Sequence, residues 1–311
     1  MKPGGVVLLL GILVILVIAC CCTGPGDGRN ITSPHLVTDT SGIPVGKGHY
    51  VFTYSAGNSD RPVTVFTYRP ASWNASGPIL IVMHGASRSA VPSRDIWIPY
   101  GDLFSCLIVA PEFSLKNYPD DAWYAGGNLY DNRGNPNPKR NWTYMTVEHI
   151  FDDIRNRTGA RQDTYLLFGH SAGAQFVHRM VTFLPDARSS RAVAANAGVY
   201  VMPTYADMYL FGLQGSPLPE SDLPKVFSRN LIIMAGADDT NPDDSELADF
   251  PEAVAQGRTR FERAGNYYAT AQREAENRRV PLNWEFHVVP GVGHSEAGMA
   301  GPAAILLFAP E

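Results

Sequence analysis

Short apolar runs, set apart by turn residues and amphipathic stretches, recur along most of this chain. Tyr50 to Tyr54 and Val63 to Tyr68 alternate apolar and polar positions, and that period of two predicts an opening β-hairpin. Further strands are expected near residues 79, 106, 163, 191, 230 and 284; the one near 284 alternates, while others are continuous apolar runs such as Ile79-Leu80-Ile81-Val82-Met83 or Leu231-Ile232-Ile233-Met234. Strands covered on both faces read this way, because neither side of the pleat meets water. Between them the spacing turns helical. Val147, Ile150, Phe151 and Ile154 form one stripe, with Glu148, Asp152, Asp153 and Arg155 on the other faces, and Phe176, Val177, Met180, Val181 and Leu184 form another. Eight strands with intervening helices predict an α/β fold: a doubly wound, mostly parallel eight-stranded sheet with helices on both faces. The helix near 150 is expected to pack beside the strand near 163.

One junction in this pattern carries chemistry. Thr164-Tyr165-Leu166-Leu167-Phe168 reads as a buried strand and runs straight into Gly169-His170-Ser171-Ala172-Gly173, after which the helical stripe begins. Strand, sharp turn and helix around G-x-S-x-G present a serine hydroxyl at the apex of the turn. Only small residues fit two places either side, where strand and helix converge, and Gly169 and Gly173 meet that need. A serine hydroxyl is a weak nucleophile at neutral pH, so the motif calls for a histidine to take its proton and a carboxylate to orient that histidine, both further along the chain.

For the acid, Gly236-Ala237-Asp238-Asp239 follows the apolar run that ends at Ala235, where open α/β sheets place functional groups. Asp239 is preferred, with Asp238 as the alternative. A solvated acidic loop or weak calcium site built from Asp238, Asp239, Asp243, Asp244 and Glu246 is a further reading, although their spacing does not match a standard calcium loop. For the base, Pro290-Gly291-Val292-Gly293-His294 turns off the strand that contains His287. His294 is the one histidine after the acid that lies in a loop beyond a strand's end. The oxyanion that such a reaction develops needs backbone donors. The N–H groups of Ala172, just after the serine, and of Ala86, in the His84-Gly85-Ala86-Ser87 loop after the strand at 79, are the candidates.

Val82-Met83-His84-Gly85, Val109-Ala110-Pro111-Glu112-Phe113, Gly169-His170-Ser171-Ala172-Gly173-Ala174-Gln175-Phe176 and Pro290-Gly291-Val292-Gly293-His294 together resemble the α/β-hydrolases, over roughly residues 49 to 310. Within that superfamily the chain is most similar to esterases related to polyhydroxyalkanoate depolymerases and feruloyl esterases. The resemblance implies a secreted or surface serine esterase with Ser171, Asp239 and His294 as its triad. It needs no metal or organic cofactor. Dedicated polymer depolymerases carry a further polymer-binding domain, and the sequence ends shortly after His294, so a small-molecule or oligomeric ester is the expected substrate. A peptidase or acyltransferase would use the same residues. A non-catalytic binding protein on the same scaffold would be expected to have lost part of the triad.

The first residues address location. A lysine precedes an apolar run from Val6 to Ala19, followed by Cys20-Cys21-Cys22, the layout of a signal peptide over 1–19. Val17-Ile18-Ala19-Cys20 resembles the lipobox of prokaryotic lipoproteins, which implies lipidation of Cys20, a membrane anchor and an extracytoplasmic, cell-surface location; an uncleaved signal anchor is the alternative. Residues 20–48, with a Gly-, Pro-, Asp- and Ser-rich stretch from Thr23 to Thr40, read as lipid-anchor cysteine and flexible tether, and 49–311 as the catalytic domain. The fourth cysteine, Cys106, falls in an apolar run and reads as core. A formal charge of −5 with no basic run argues against nucleic acid as a partner. Two long connections carry aromatic residues, tyrosine and tryptophan in Phe113 to Tyr144 and Tyr205, Tyr209 and Phe211 in Tyr200 to Phe227, which suits either a substrate pocket or ordinary loop packing.

Overall fold

A computed structural model describes residues 42–54 and 60–310. The expected signal segment, Cys20 and the stretch from Thr23 to Thr40 lie outside the described residues. Within them the chain forms β1 (Gly46–Phe52), β2 (Val63–Arg69), β3 (Ile79–Met83), α1 (Ala90–Ile96), α2 (Ile98–Phe104), β4 (Leu107–Glu112), α3 (Thr143–Thr158), β5 (Tyr165–His170), α4 (Ala172–Phe183), β6 (Ser189–Ala195), α5 (Leu223–Phe227), β7 (Leu231–Gly236), α6 (Pro251–Gln256), α7 (Arg260–Arg278), β8 (Glu285–Val289) and α8 (Glu296–Leu307). The strands make one eight-stranded sheet in the order β1-β2-β4-β3-β5-β6-β7-β8. β1 and β2 are antiparallel to their neighbours, and every pairing from β4 to β8 is parallel.

The pleat divides each apolar run between two cores. Ile79, Ile81 and Met83 of β3 face one side with Leu167 of β5 and Ile233 of β7, under α3, α4 and α7. Leu80 and Val82 face the other with Phe168 and Met234, under α1 and α8. A sheet covered on both faces is thus what the continuous runs encode. The one cysteine among the described residues, Cys106, is buried and free just before β4.

Two expectations need correction. Ile43 is buried and β1 starts at Gly46, so the sheet takes in residues assigned above to the tether; Ile43-Pro44-Val45-Gly46-Lys47-Gly48, broken by Pro and Gly, carries no clear strand pattern. Glu148, placed on an outer face of α3, is 8% exposed. Tyr165 donates its hydroxyl to it at 2.5 Å and Arg188 pairs with it at 2.7 Å. A carboxylate can join a buried face when a cation and a hydroxyl satisfy it, which periodicity does not register. These contacts hold α3 beside β5, as expected.

Candidate active site

Because β3, β5, β7 and β8 run parallel, their carboxyl ends share one edge of the sheet, and each delivers one loop to it. Ser171 follows β5 with φ 56° and ψ −119°, a conformation that L-residues rarely hold, and its N–H donates to Ala195 O at 3.0 Å. The flanking glycines permit the turn. A Cβ on Gly169 would stand 2.2 Å from Gly173 O, and one on Gly173 would stand 2.2 Å from Met83 O. Backbone therefore packs against backbone on both sides of the serine, with no room for a methyl group.

Asp239 lies three residues past the end of β7, its N–H donating to Gly236 O at 3.1 Å. It is 5% exposed, whereas Asp238 faces solvent. His294, in the loop after β8, spans the gap. Its Nδ1 is 2.8 Å from Asp239 Oδ2 and its Nε2 is 3.1 Å from Ser171 Oγ. A carboxylate oxygen only accepts, so Nδ1 carries the ring proton and Nε2 is left to accept from the serine hydroxyl. Ser171, Asp239 and His294 are brought together; Asp238 is not among them. The calcium-site reading also fails, since the group amid this acidic loop is a cation. Arg260, 3% exposed, has Nη1 3.5 Å from Asp239 Oδ1 and also pairs with Asp244.

Two loops meet to set this spacing, and a residue that sequence reasoning missed ties them. Asn196, just after β6 with φ 53°, accepts from Gly236 N–H at 2.7 Å and donates from Nδ2 to Gly293 O at 3.0 Å. It joins the strand that leads to the acid with the loop that carries the histidine. Gly236 makes their close approach possible, since a Cβ there would lie 2.3 Å from Val292 O.

Ala172 is the first residue of α4, so its N–H has no acceptor within the helix. Ala86 is exposed, in a turn closed by Arg88 N–H donating to Gly85 O at 3.2 Å, and a Cβ on Gly85 would lie 3.9 Å from Ser171 Cβ. Both candidate donors thus flank the serine. The Ala86 loop is held by two residues whose roles sequence reasoning did not see. The His84 ring accepts from Phe113 N–H at 3.0 Å through Nε2, which makes Nδ1 the donor to Gly85 O, also at 3.0 Å. Burial pushes this imidazole down to about 4, so it stays neutral in that role. The Arg88 guanidinium donates to the carbonyls of Phe113, Tyr118 and Asp120.

The aromatic connections divide between the two readings. Tyr118, Tyr124 and Tyr144 are fully buried, each hydroxyl donating to a backbone carbonyl, and are loop packing. Tyr130, Tyr209 and Phe211 instead line a cavity of about 500 Å³ that reaches Gln175, one helical turn past Ser171. Close behind the triad, His170 is buried against the His294 ring at 4.6 Å between centroids and is pushed down to about 3 by burial and by its neighbour. Glu296, held by Ser93 Oγ at 2.9 Å, is pushed up to about 7 by burial.

Known structures share this arrangement of elements. Poly(aspartic acid) hydrolase-1 from Sphingomonas sp. KT-1 is 38% identical with a TM-score of 0.83, over 86% of this chain and 100% of that one. A poly(3-hydroxybutyrate) depolymerase from Bordetella parapertussis is 36% identical with a TM-score of 0.82, over 86% and 92%. An S-formylglutathione hydrolase from Agrobacterium tumefaciens, 14% identical with a TM-score of 0.54 over 84% and 92%, shares the fold alone. No protein-family model matches the chain, and neither does any curated protein sequence.

Proposed function

This chain belongs to the α/β-hydrolase superfamily, among the depolymerase-like hydrolases, and from that premise we propose that it cleaves carboxylic esters through an acyl-enzyme on Ser171. The observation that carries this reading is the unbroken chain of contacts from Asp239 through His294 to Ser171 Oγ, at 2.8 and 3.1 Å. Ser171 Oγ attacks the ester carbonyl while His294 Nε2 takes its proton, and Asp239 stabilises the resulting imidazolium. The Ala172 and Ala86 N–H groups receive the oxyanion. His294 then protonates the departing alcohol, the acyl-enzyme forms, and water activated by the same histidine releases the acid. Small or oligomeric esters are the proposed substrates.

A second reading, cleavage of amide bonds by the same groups, draws on the 38% identity with poly(aspartic acid) hydrolase-1. Paired ester and amide substrates of one acyl group separate the two. The direct test of the site is labelling of the protein with a fluorophosphonate probe. Labelling of wild type that is lost in both Ser171→Ala and His294→Ala supports an activated serine; folded wild type that takes up no probe contradicts it.

For location, we propose an extracytoplasmic protein held at the membrane by lipid on Cys20. The lipobox-like Val17-Ile18-Ala19-Cys20 supports this. Incorporation of labelled fatty acid that disappears in Cys20→Ala is the expected result. Unlabelled protein that still sediments with membranes would favour an uncleaved anchor.

A further inference from the structure

Arg179 lies two helical turns beyond Ser171 on α4. It is 7% exposed, and it lines the cavity that Tyr130, Tyr209 and Phe211 help to form. Its Nε is buried without an acceptor, and among the described residues no carboxylate pairs with its guanidinium. A guanidinium cannot escape burial by losing its proton, and an uncompensated buried charge is strongly unfavourable. Nearby arginines have partners. Arg263, 1% exposed, donates to the carbonyls of Gly257, Gly198 and Ala248, and Arg260, whose Nε likewise lacks an acceptor, pairs through Nη1 with Asp239 and Asp244. Gly198 and Ala248 belong to the cavity wall. The fold thus supplies acceptors to one arginine behind the wall and withholds them from the one that faces the space.

We propose that this cavity is a subsite for a carboxylate on the substrate, with Arg179 as its counter-charge. The inference rests on the hydrolase reading above and names the substrate class for that site. The walls suit the task. Leu129, Val199, Tyr209 and Phe211 line the same cavity and give it apolar walls, which lower the local dielectric and strengthen a charge-assisted hydrogen bond. Three carboxylates also line the cavity, Asp121, Asp131 and Glu246, but all are exposed residues at its rim. Asp121 lies 3.6 Å from Arg88, and Asp131 accepts from Asn135 and from Arg133 N–H. Water and salt screen the rim charges, while the floor cation acts at contact distance.

The helix sets the spacing. Eight residues at 1.5 Å per residue put Arg179 about 12 Å along the axis from Ser171, and helical side chains lean back toward the N-terminus, here toward the serine. Gln175 lines the space between them. The carboxylate therefore sits several bonds from the scissile carbonyl. It is either the free end of a short oligoester or a pendant acid along a longer chain.

The test compares p-nitrophenyl hexanoate with the mono-p-nitrophenyl ester of adipic acid, which differ only in the terminal methyl or carboxylate. Wild type should favour the acid ester, and Arg179→Gln should lower the acid-to-neutral ratio of kcat/KM by about tenfold to a hundredfold, mostly through KM. A ratio unchanged by the substitution overturns the proposal. Binding is read separately, so that it does not depend on turnover or on the variant's folding. Adipate should raise the Tm of wild type and not that of Arg179→Gln; no shift in wild type overturns the subsite even if the variant fails to fold. Wild type that turns over neither ester yet is stabilised by adipate would sink the hydrolase reading and leave the subsite standing. The source of the carboxylate follows from competition with adipate. A hydroxy-acid trimer that competes as the free acid and not as its methyl ester supports the oligoester end, an aspartate oligomer that competes supports the pendant acid, and competition by neither overturns the inference.

Discussion

Asp239 and Arg179 are buried to nearly the same extent, 5% and 7% exposed, yet the fold surrounds them differently. At the edge of the sheet, Asp239 has His294 at 2.8 Å and Arg260 at 3.5 Å, so its charge is compensated within the chain. Arg179, which lines the cavity, has no such partner among the described residues. A preorganised catalytic group must hold its geometry before substrate arrives, which requires partners from the protein. A recognition group must keep its donors available, and the protein accepts lower stability for it. Burial alone does not separate these two uses of charge; the partner list does.

The largest expected effect lies on the compensated side. Asp239→Asn should lower kcat by about 10⁴-fold, because the amide no longer holds His294 in the productive tautomer. Asp238→Asn, on the exposed neighbour, should stay within a few-fold on the same ester. A reversed order would mean that the acid is Asp238 and that the partners of Asp239 are structural.

Stability provides the next contrast. Arg263→Met leaves three carbonyls without their donor and should cost roughly 3 kcal/mol or more in denaturant unfolding. Arg179→Met removes an unpaired buried charge in favour of a side chain of similar length. It should raise unfolding free energy by about 1 kcal/mol. If both variants lose stability alike, Arg179 is a structural group and the comparison collapses.

Acid should weaken the region behind the triad. His84 and His170 are pushed down to about 4 and about 3 in the fold and titrate near 6.5 when unfolded. Below 6.5 the unfolded chain therefore binds more protons, and the stability that these groups contribute is present above that pH and is lost as pH falls toward 4. At pH 5 each loses about 2 kcal/mol relative to neutral conditions. Glu296 acts in the opposite sense. Its carboxyl is pushed up to about 7, so its contribution is greatest at low pH and is lost as pH rises through 7, which offsets about one imidazole at pH 5. Denaturation at pH 5 and pH 7 should differ by about 2 kcal/mol from these groups, and Glu296→Gln should widen the gap. For Asn196→Ala the expected effect is a loss of about tenfold in kcat through a looser Asp239–His294 spacing. A pH–rate profile shifted along with kcat would indicate positioning, whereas a lower Tm with unchanged kinetics would make Asn196 a purely structural clamp.

Much of the catalytic edge was legible in the sequence, because its constraints are local. A strand ending in a tight turn requires glycine two places either side of Ser171, and the clashes at 2.2 Å show how little else would fit. Apolar runs bounded by turns mark β3, β5 and β7, alternation marks β8, and the carboxyl ends of parallel strands must share an edge, so Ser171, His294 and the Asp238–Asp239 pair could be named from their order along the chain. The choice between Asp238 and Asp239 was of another kind. Adjacent residues share their local signals, and only the loop's path buries one and exposes its neighbour. Arg88, Asn196 and Arg260 left no such mark. Each acts through partners tens of residues away, as Asn196 does in bonding to Gly236 and Gly293, and a single polar residue has no period. Arg179 did carry a faint signal, a charge inside the apolar stretch from Phe176 to Leu184. Local backbone geometry and hydrophobic periodicity are encoded residue by residue, so the sequence by itself determined the sheet, the elbow at Ser171 and the order of the loops that carry the acid and the histidine. Whether a buried charge meets a partner or an empty cavity depends on packing between distant elements, and that only the tertiary structure decided.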